Sequence, residues 1–176
     1  VAGDSDVVTL GELLENLKSK PKKWVIGGGS AVGGWDHLKV LMAAKEYGIS
    51  NVRKIKYVSF DGGGDAVTQL LAGNVQIFTG DVSEIKGFVD AGDIKIIAVL
   101  SPDRLPGDFS KFYTAREQGV NVVGANWRGF YVPKGMSDDA YNFWASAIKK
   151  MYDTPQWKKT MAKNGLAPLD LSGKAF

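Results

Sequence analysis

The spacing of apolar residues changes repeatedly along the chain, from the period of a helix to the short continuous runs of buried strands. The four leucines within 10–17 recur at helical spacing, and Thr9 with Glu12 forms a capping box in front of them. We predict a helix over 10–19, closed by Pro21. Short apolar runs typical of buried strands follow at 24–26, 55–60, 75–79 and 94–100, the last being the most strand-like in the chain.

Helical patterns lie between these runs, and a glycine closes each of them. Gly48 is the predicted C-terminal glycine of the first pattern, Gly73 ends the second and Gly92 ends the third. Each pattern places its apolar residues on one face. Those residues are Trp35, Leu38, Leu41 and Met42, then Val67, Leu70 and Leu71, then Ile85, Phe88 and Val89.

The alternation β-α-β-α-β-α-β is typical of an α/β domain with a doubly wound, mainly parallel sheet. In such sheets ligands bind outside the carboxyl ends of the strands, in the loops that lead into the helices. Three loops follow strands and open helices, and we name them the first loop (29–34), the second loop (62–65) and the third loop (80–84). All three should emerge on the same edge of the sheet, which predicts a binding site there.

The C-terminal part of the chain has weaker strand patterns and two clear helix starts. The predicted elements are a short helix at 114–119, strand-like segments at 121–123 and 128–132, and helices that start at Ser137 and at Thr154–Pro155. Apolar residues line the last two helices. They are Trp144, Ile148, Met151, Tyr152, Trp157 and Met161.

The stretch from Trp24 to His37 is the most distinctive in the chain, because it holds five glycines and almost no side-chain bulk between a strand and a helix. Backbone N–H groups in such a turn can approach a ligand closely, and the helix dipole favours an anion. The glycines could also serve only a tight turn. No register of a dinucleotide-binding G-x-G-x-x-G fits, and Gly34-Trp35 stands where a P-loop needs Lys and Ser or Thr.

Composition excludes several classes of function. The absence of cysteine excludes disulfides, thiol catalysis and Cys-ligated zinc, and a single histidine, His37, excludes a multi-histidine metal site. The net charge of +3 is mild. The basic residues at 18–23 come with no nucleic-acid-binding motif, so we interpret them as a solvated face. We therefore expect no metal, no cofactor and no nucleic acid.

Polar residues of the loops have structural interpretations beside functional ones. His37 lacks the partners of a catalytic triad, and we expect it to hydrogen-bond a neighbouring loop. Asp36 and Asp65 lie in first helical turns, where acids complement the helix dipole. Arg128 lies in an apolar context, and its expected partner is a carboxylate of this chain or of another domain. Hydroxyls that can donate to a ligand carboxylate or cap locally are those of Ser30, Thr79 and Ser83.

Six segments, in this order, resemble one family. They are Gly27–His37 (GGGSAVGGWDH), Tyr57–Ala66 (YVSFDGGGDA), Leu71–Val75 (LAGNV), Gly80–Glu84 (GDVSE), Ala91–Lys95 (AGDIK) and Asn126–Phe130 (NWRGF). The chain resembles the substrate-binding proteins of tripartite tricarboxylate transporters, the Bug or TctC-like family, from about Thr9 to Pro168. The combination of motifs is specific, whereas no single motif is.

The resemblance implies a Venus-flytrap receptor of the type II periplasmic-binding fold, located in the periplasm or otherwise outside the cytoplasm, without catalysis. Such a receptor binds a carboxylate and delivers it to membrane subunits of the transporter. Backbone amides and ordered waters hold the carboxylate, and a dicarboxylate, a tricarboxylate, an acidic amino acid and an aromatic acid all remain open as ligands. The residues that match the ligand-binding loops are Ser30, Ala31, Gly33, Gly34, Gly62, Gly63, Gly64, Asp65, Thr79, Gly80 and Asp81.

The chain also departs from the family. Family members have a longer N-terminal part that forms most of the first lobe. We therefore expect residues 1–125 to be the second lobe, and 126–176 to be a return segment with C-terminal helices that would complete the first lobe. The apolar surface of these helices should dock on another copy, as a dimer or a swap, or pack back on the second lobe. Trp35 replaces a usually small polar residue and should narrow or reshape the cleft.

Two other classes of function stay open on the sequence. One is an enzyme that acts on a phosphorylated or carboxylated small molecule, against which the lack of a nucleophile–base pair, a metal cluster and a P-loop lysine counts. The other is a sensory domain of the same fold, for which no DNA-binding or signalling segment is visible. No apolar run approaches a membrane span, and no signal peptide is present in these residues.

Overall fold

The computed structural model describes residues 1–171, so the last five positions of the predicted return segment, 172–176, lie outside the described residues. The helices and strands, in chain order, are α1 (Leu10–Ser19), β1 (Val25–Gly28), α2 (Trp35–Glu46), β2 (Lys56–Ser59), α3 (Gly63–Leu71), β3 (Ile77–Thr79), α4 (Lys86–Ala91), α5 (Asp138–Tyr152) and α6 (Pro155–Lys163). Short 3-10 turns lie at Val52–Lys54, Val82–Glu84 and Gly107–Phe109.

The sheet has the order β2-β1-β3, and both pairings are parallel. Gly28 lies opposite Ser59 on one side and opposite Thr79 on the other, so the three strands end at the same level. The three loops therefore leave the sheet along one edge, as the topology predicts. β1 extends into the glycine run because these glycines still pair with both neighbours, while β2 and β3 are shorter than predicted.

Helices cover both faces of this sheet, which confirms the doubly wound α/β architecture. Neighbouring residues of β1 point to opposite faces. Ile26 packs in one apolar cluster with the buried leucines of α1 and with Ala43 and Ala44 of α2. Val25 packs against the other cluster, which contains Val67 and Leu70 of α3.

The predicted helix limits agree with the structure where a cap or a glycine specifies them. Thr9 and Glu12 form the expected capping box, and the four leucines of α1 are all buried. Gly48, Gly73 and Gly92 have φ values of 92°, 77° and 84°, the left-handed conformation that ends a helix. Ser137 and Thr154 both accept a backbone hydrogen bond as N-caps of α5 and α6.

Of the predicted core face of α2, only Leu41 packs against the apolar cluster that contains Ile26. Trp35, Leu38 and Met42 are 37–40% exposed, whereas Lys39, Ala43 and Ala44 are the buried residues of this helix. Small side chains on that side let α2 approach the sheet closely. Leu71 of α3 and Phe88 of α4 are also exposed, at 43% and 37%.

The segments that follow α4 form fewer regular elements than their sequence suggests. The most strand-like run, 94–100, makes only isolated bridges, from Ile94 to Ala2 and from Val99 to Thr114. A strand needs a continuous neighbour to build a ladder, and this run finds none among the described residues. The predicted helix at 114–119 is a hydrogen-bonded turn, and 121–123 and 128–132 are extended without strand pairing.

The two C-terminal helices differ in how they pack. α6 packs back on the lobe through Met161, which is 7% exposed. Beyond its end, a Cβ on Gly165 would lie 2.8 Å from the Phe109 ring. α5 has no fully buried residue, and Phe143 and Trp144 are 65% and 53% exposed. The return segment therefore leaves a large apolar surface uncovered.

Candidate functional site

The first, second and third loops meet at the carboxyl edge of the sheet. A Cβ added to Gly29 would lie 2.7 Å from Gly63 N and 2.8 Å from the carbonyl carbon of Gly62, so the first two loops touch through their backbones. A Cβ on Gly63 would lie 2.2 Å from the Glu84 carboxyl carbon, and one on Gly80 would lie 2.7 Å from Glu84 Oε2. Glycine is therefore required at these three positions for packing.

Backbone donors without partners collect at this edge. Within residues 1–171, no hydrogen bond forms from the N–H groups of Ala31 and Val32 in the first loop or from those of 62–65 in the second. The N–H of Gly80 in the third loop is equally unpaired within that range. Donors of this kind, at or near helix N-termini, attract carboxylates.

Glu84 places a carboxylate of the chain itself beside some of these donors. Its Oε2 accepts a hydrogen bond from Asp81 N at 3.0 Å, and its carboxyl group packs against Gly63 at the start of α3. A negative charge at that helix end is already favourable, so a ligand anion at the second loop would have Glu84 as a close neighbour. Sequence analysis did not single out Glu84, although the Asp81–Glu84 capping box was a visible signal.

Several predicted ligand-binding groups are engaged within the protein. The N–H of Gly33 donates to His37 Nδ1 at 3.0 Å, and that of Gly34 donates to Ala31 O at 2.7 Å. The hydroxyl of Thr79, a residue only 8% exposed, donates to Asp36 O. These three groups shape the loops.

Ser30 acts as a local cap in this arrangement. Its Oγ accepts the N–H of Asp36 in the first turn of α2 at 3.0 Å, and its carbonyl accepts the Tyr57 hydroxyl at 2.8 Å. Burial raises the pKa of Tyr57 above its usual value of 10.0. The tyrosine hydroxyl therefore stays protonated and anchors the first loop to β2.

His37 holds the first loop, as expected from its position. Its ring stacks on that of Tyr57 with 4.5 Å between centroids, and its Nδ1 accepts the N–H of Gly33. An accepting Nδ1 requires the neutral imidazole. Burial also lowers the pKa of His37 below 6.5, which favours that neutral form.

We expect the first loop to be pH-sensitive through His37. The folded-state pKa lies below the unfolded value of 6.5, so this contribution to stability is present above pH 6.5 and is lost as the pH falls through the folded pKa. The Gly33 amide signal in NMR spectra should shift in the same pH window. The variant His37→Phe should remove the Gly33 shift, and an unchanged titration in that variant would contradict the assignment.

A buried ion pair ties α2 to the third loop. Lys39 is 5% exposed, and its Nζ lies 2.9 Å from Asp36 Oδ1 and donates to Gly80 O at 3.3 Å. Residue 124 packs over it, because a Cβ on Gly124 would lie 3.0 Å from Lys39 Cβ. Sequence analysis missed Lys39, since a helical lysine is normally a surface residue; its spacing from Asp36 was the available signal.

Arg128 has the carboxylate partner that its sequence context predicts. Its Nη2 donates to Asp81 Oδ2, and Asn126 Nδ2 donates to the same carboxylate at 3.2 and 3.3 Å. The return segment is thereby fixed to the third loop. Asp81 is thus engaged by side chains and does not present a free carboxylate.

Acidic and apolar side chains are both exposed in the loops of this edge and at the start of the helices that follow. Asp65 is exposed in the first turn of α3. Val32 of the first loop and Trp35 at the start of α2 are 68% and 37% exposed. A ligand at this edge would meet both kinds of surface.

A groove with a volume of about 600 Å³ lies at the opposite edge of the sheet, where the strands begin. Val7, Glu12, Trp24 and Gln76 line part of it. Two of its polar side chains are engaged, because Glu12 accepts the N–H groups of Val8 and Thr9, and Gln76 accepts that of Val25. The three loops with their unpaired N–H groups lie at the carboxyl edge and do not line this groove.

The described residues contain no cluster of three or more metal-ligating side chains. No helix within residues 1–171 has both the length and the apolar character required to cross a membrane.

The sequence profile of a family described as "Tripartite tricarboxylate transporter family receptor" matches residues 1–175. The chain belongs to this family. The resemblance carried by the six segments is thereby confirmed.

Curated relatives within the receptor family are distant. The chain is 22% identical over 176 residues to a UPF0065 protein encoded in the gbd 5′ region of Cupriavidus necator, covering all of this chain and 52% of that protein. It is 25% identical over 166 residues to a UPF0065 protein of Bordetella pertussis, covering 94% of this chain and 50% of that protein. The chain therefore spans about half the length of these two relatives.

Solved structures share the fold. The Rhodopseudomonas palustris protein Rpa4515, solved with adipate, is 21% identical with a TM-score of 0.81 over 94% of this chain and 54% of that one. MatC from the same organism, solved with malate, is 18% identical with a TM-score of 0.77, over 95% of this chain and 55% of that one. A structure described as a periplasmic transporter is 24% identical with a TM-score of 0.81, over 96% and 55%.

Proposed function

We propose that this chain supplies one wall of a carboxylate-binding cleft in an extracytoplasmic receptor, which delivers its ligand to the membrane subunits of a tripartite tricarboxylate transporter. The unpaired N–H groups that three loops bring to one edge of the sheet are the observation that carries the proposal. They suit the carboxylate end of a small molecule. The adipate and malate bound to two proteins of the same fold are ligands of this chemistry.

The opposite wall would come from the first lobe. We propose that residues 1–125 form the second lobe and that 126–176 belong to the part that completes the first. Two observations support this division: the two curated relatives are about twice as long, and α5 exposes Phe143 and Trp144. An apolar surface of this kind is normally covered by a partner. In the isolated chain, a second copy could cover it.

We propose that the role is binding without a chemical reaction. Of the groups at the edge, His37 Nδ1 is occupied by Gly33 N–H, and the Thr79 hydroxyl is directed to Asp36 O. Lys39 is paired with Asp36. These groups serve the loop structure and do not form a nucleophile–base pair.

Titration of the chain with adipate, followed by amide NMR, tests the binding role. We expect the amide signals of Ala31, Val32, 62–64 and Gly80 to move, with weak affinity because one wall acts alone. Sodium chloride at the same ionic strength is the control. Unchanged signals at millimolar adipate, or shifts confined to the groove lined by Glu12 and Gln76, would contradict the proposal.

A further inference from the structure

We propose that Arg128 binds a second carboxylate of the ligand, which makes the ligand a dicarboxylate held at one end by backbone N–H groups and at the other by a guanidinium. This inference rests on the proposed function and concerns a residue for which the sequence favours a carboxylate of the protein over a ligand as partner.

The guanidinium of Arg128 is fixed in place and still largely available. Its Nη2 donates to Asp81, and Asn126 holds the same carboxylate. The Arg128 side chain is 63% exposed, against 20% for Asp81. Its Nε and Nη1 have no acceptor among the described residues. A guanidinium has five N–H donors in a planar fork, so one engaged nitrogen leaves a face for a second carboxylate.

Two lysines near the three loops, Lys39 and Lys86, already form ion pairs within the protein. Lys39 is buried and paired with Asp36. Lys86, at the start of α4, is paired with both Asp90 and Asp108. Arg128 differs from these two lysines because it combines an exposed side chain with unused donors. A charge-assisted pair with a carboxylate is stronger than a neutral hydrogen bond.

The arrangement of charges favours two separated carboxylates over one. The open backbone donors of the first loop, at Ala31 and Val32, form one subsite. Glu84 lies between the second and third loops and repels an anion placed there. The Arg128 guanidinium forms the second subsite, at the carboxylate of Asp81 in the third loop. A ligand with carboxylates at its two ends can use both subsites and keep its neutral middle beside Glu84.

Adipate and hexanoate form a matched pair of probes, because they have the same carbon chain and differ in the second carboxylate. We expect Arg128→Gln to weaken adipate binding by about tenfold or more and to leave hexanoate binding unchanged. The Arg128 Nε–H signal of the unaltered protein should move with adipate and not with hexanoate. Lys134→Gln removes the same charge from an exposed position nearby in sequence and should affect neither ligand.

Two further variants separate the guanidinium from its partner. Arg128→Lys keeps the charge without the planar fork and should recover only part of the adipate affinity. Asp81→Asn leaves the guanidinium free of its internal anion, and adipate should then bind at least as tightly as to the unaltered protein.

Equal losses for adipate and hexanoate in Arg128→Gln, or no loss for either, would overturn the role of Arg128. In both cases the first-loop amides would still respond to ligand, so the proposed carboxylate receptor would stand. If neither probe moves the first-loop amides of the unaltered protein, the proposed function itself fails.

Discussion

Replacing Gly29 by alanine should lower the free energy of unfolding by about 1–3 kcal/mol and weaken adipate binding. The new Cβ would lie 2.7 Å from Gly63 N and 2.8 Å from the Gly62 carbonyl carbon. Both are backbone atoms at the start of α3 that cannot rotate away, so the first and second loops must separate. Separation disperses the unpaired donors that the binding site depends on.

Gly64 provides the matched control. A Cβ at this position has no neighbouring atom within 4 Å, and the residue lies in the first turn of α3. Gly64→Ala should therefore leave stability unchanged or slightly raise it, because alanine restricts the unfolded chain more than glycine does. Urea denaturation of both variants measures the difference. Equal stabilities for Gly29→Ala and Gly64→Ala would show that the loops do not pack as described.

The elements that sequence predicts well are those specified by local chemistry. α1 has the predicted limits because Thr9 and Glu12 cap its start and its leucines share one face. Helices before Gly48, Gly73 and Gly92 end where a left-handed residue is needed. These features depend on residues within one or two turns, so the chain order alone reveals them.

Elements that depend on distant partners were predicted less well. The run at 94–100 has the composition of a strand, but hydrogen-bonded neighbours decide whether a ladder forms. α2 buries Lys39, Ala43 and Ala44 in place of its bulky apolar residues, because close approach to the sheet favours small side chains and a paired lysine. A prediction from hydrophobicity alone places Trp35, Leu38 and Met42 in the core, where the structure leaves them exposed.

In the candidate site, too, some features could be predicted from the sequence and others depend on distant residues. Topology places the three loops on one edge, and the parallel register of Gly28 with Ser59 and Thr79 confirms that placement. Which donors stay open depends on side chains from elsewhere. His37 takes the Gly33 N–H, and Glu84 fills the space beside Gly63. A match to family motifs identifies the loops but does not separate open groups from engaged ones.

The loops are held as one unit by charges that cross between elements. Asp36 and Lys39 join α2 to the third loop, and Arg128 joins the return segment to Asp81 in the same loop. A movement of the return segment would therefore also shift the third loop, because Arg128 is bonded to Asp81. Of these two pairs, the one with Lys39 is the more buried, so its removal should have the greater effect on folding.

Lys39→Met should lower the free energy of unfolding by about 3 kcal/mol. Methionine fills much of the same volume, but it leaves the Asp36 carboxylate, with a side chain only 16% exposed, without its cation. Gly80 O also loses its donor, so the third loop should loosen. Chemical denaturation measures the first effect, and hydrogen exchange at the Asp81 amide, which donates to Glu84 in the same loop, measures the second.

Two control variants test whether the effect of Lys39→Met comes from loss of the ion pair. Lys45→Met, at an exposed position of the same helix, should change stability by less than about 0.5 kcal/mol. Adding Asp36→Asn to Lys39→Met removes the unpaired charge and should restore part of the loss, since the penalty comes from an uncompensated carboxylate and not from the missing lysine. If Lys39→Met were as mild as Lys45→Met, or if the double variant were less stable than the single one, the pair would not hold α2 to the third loop.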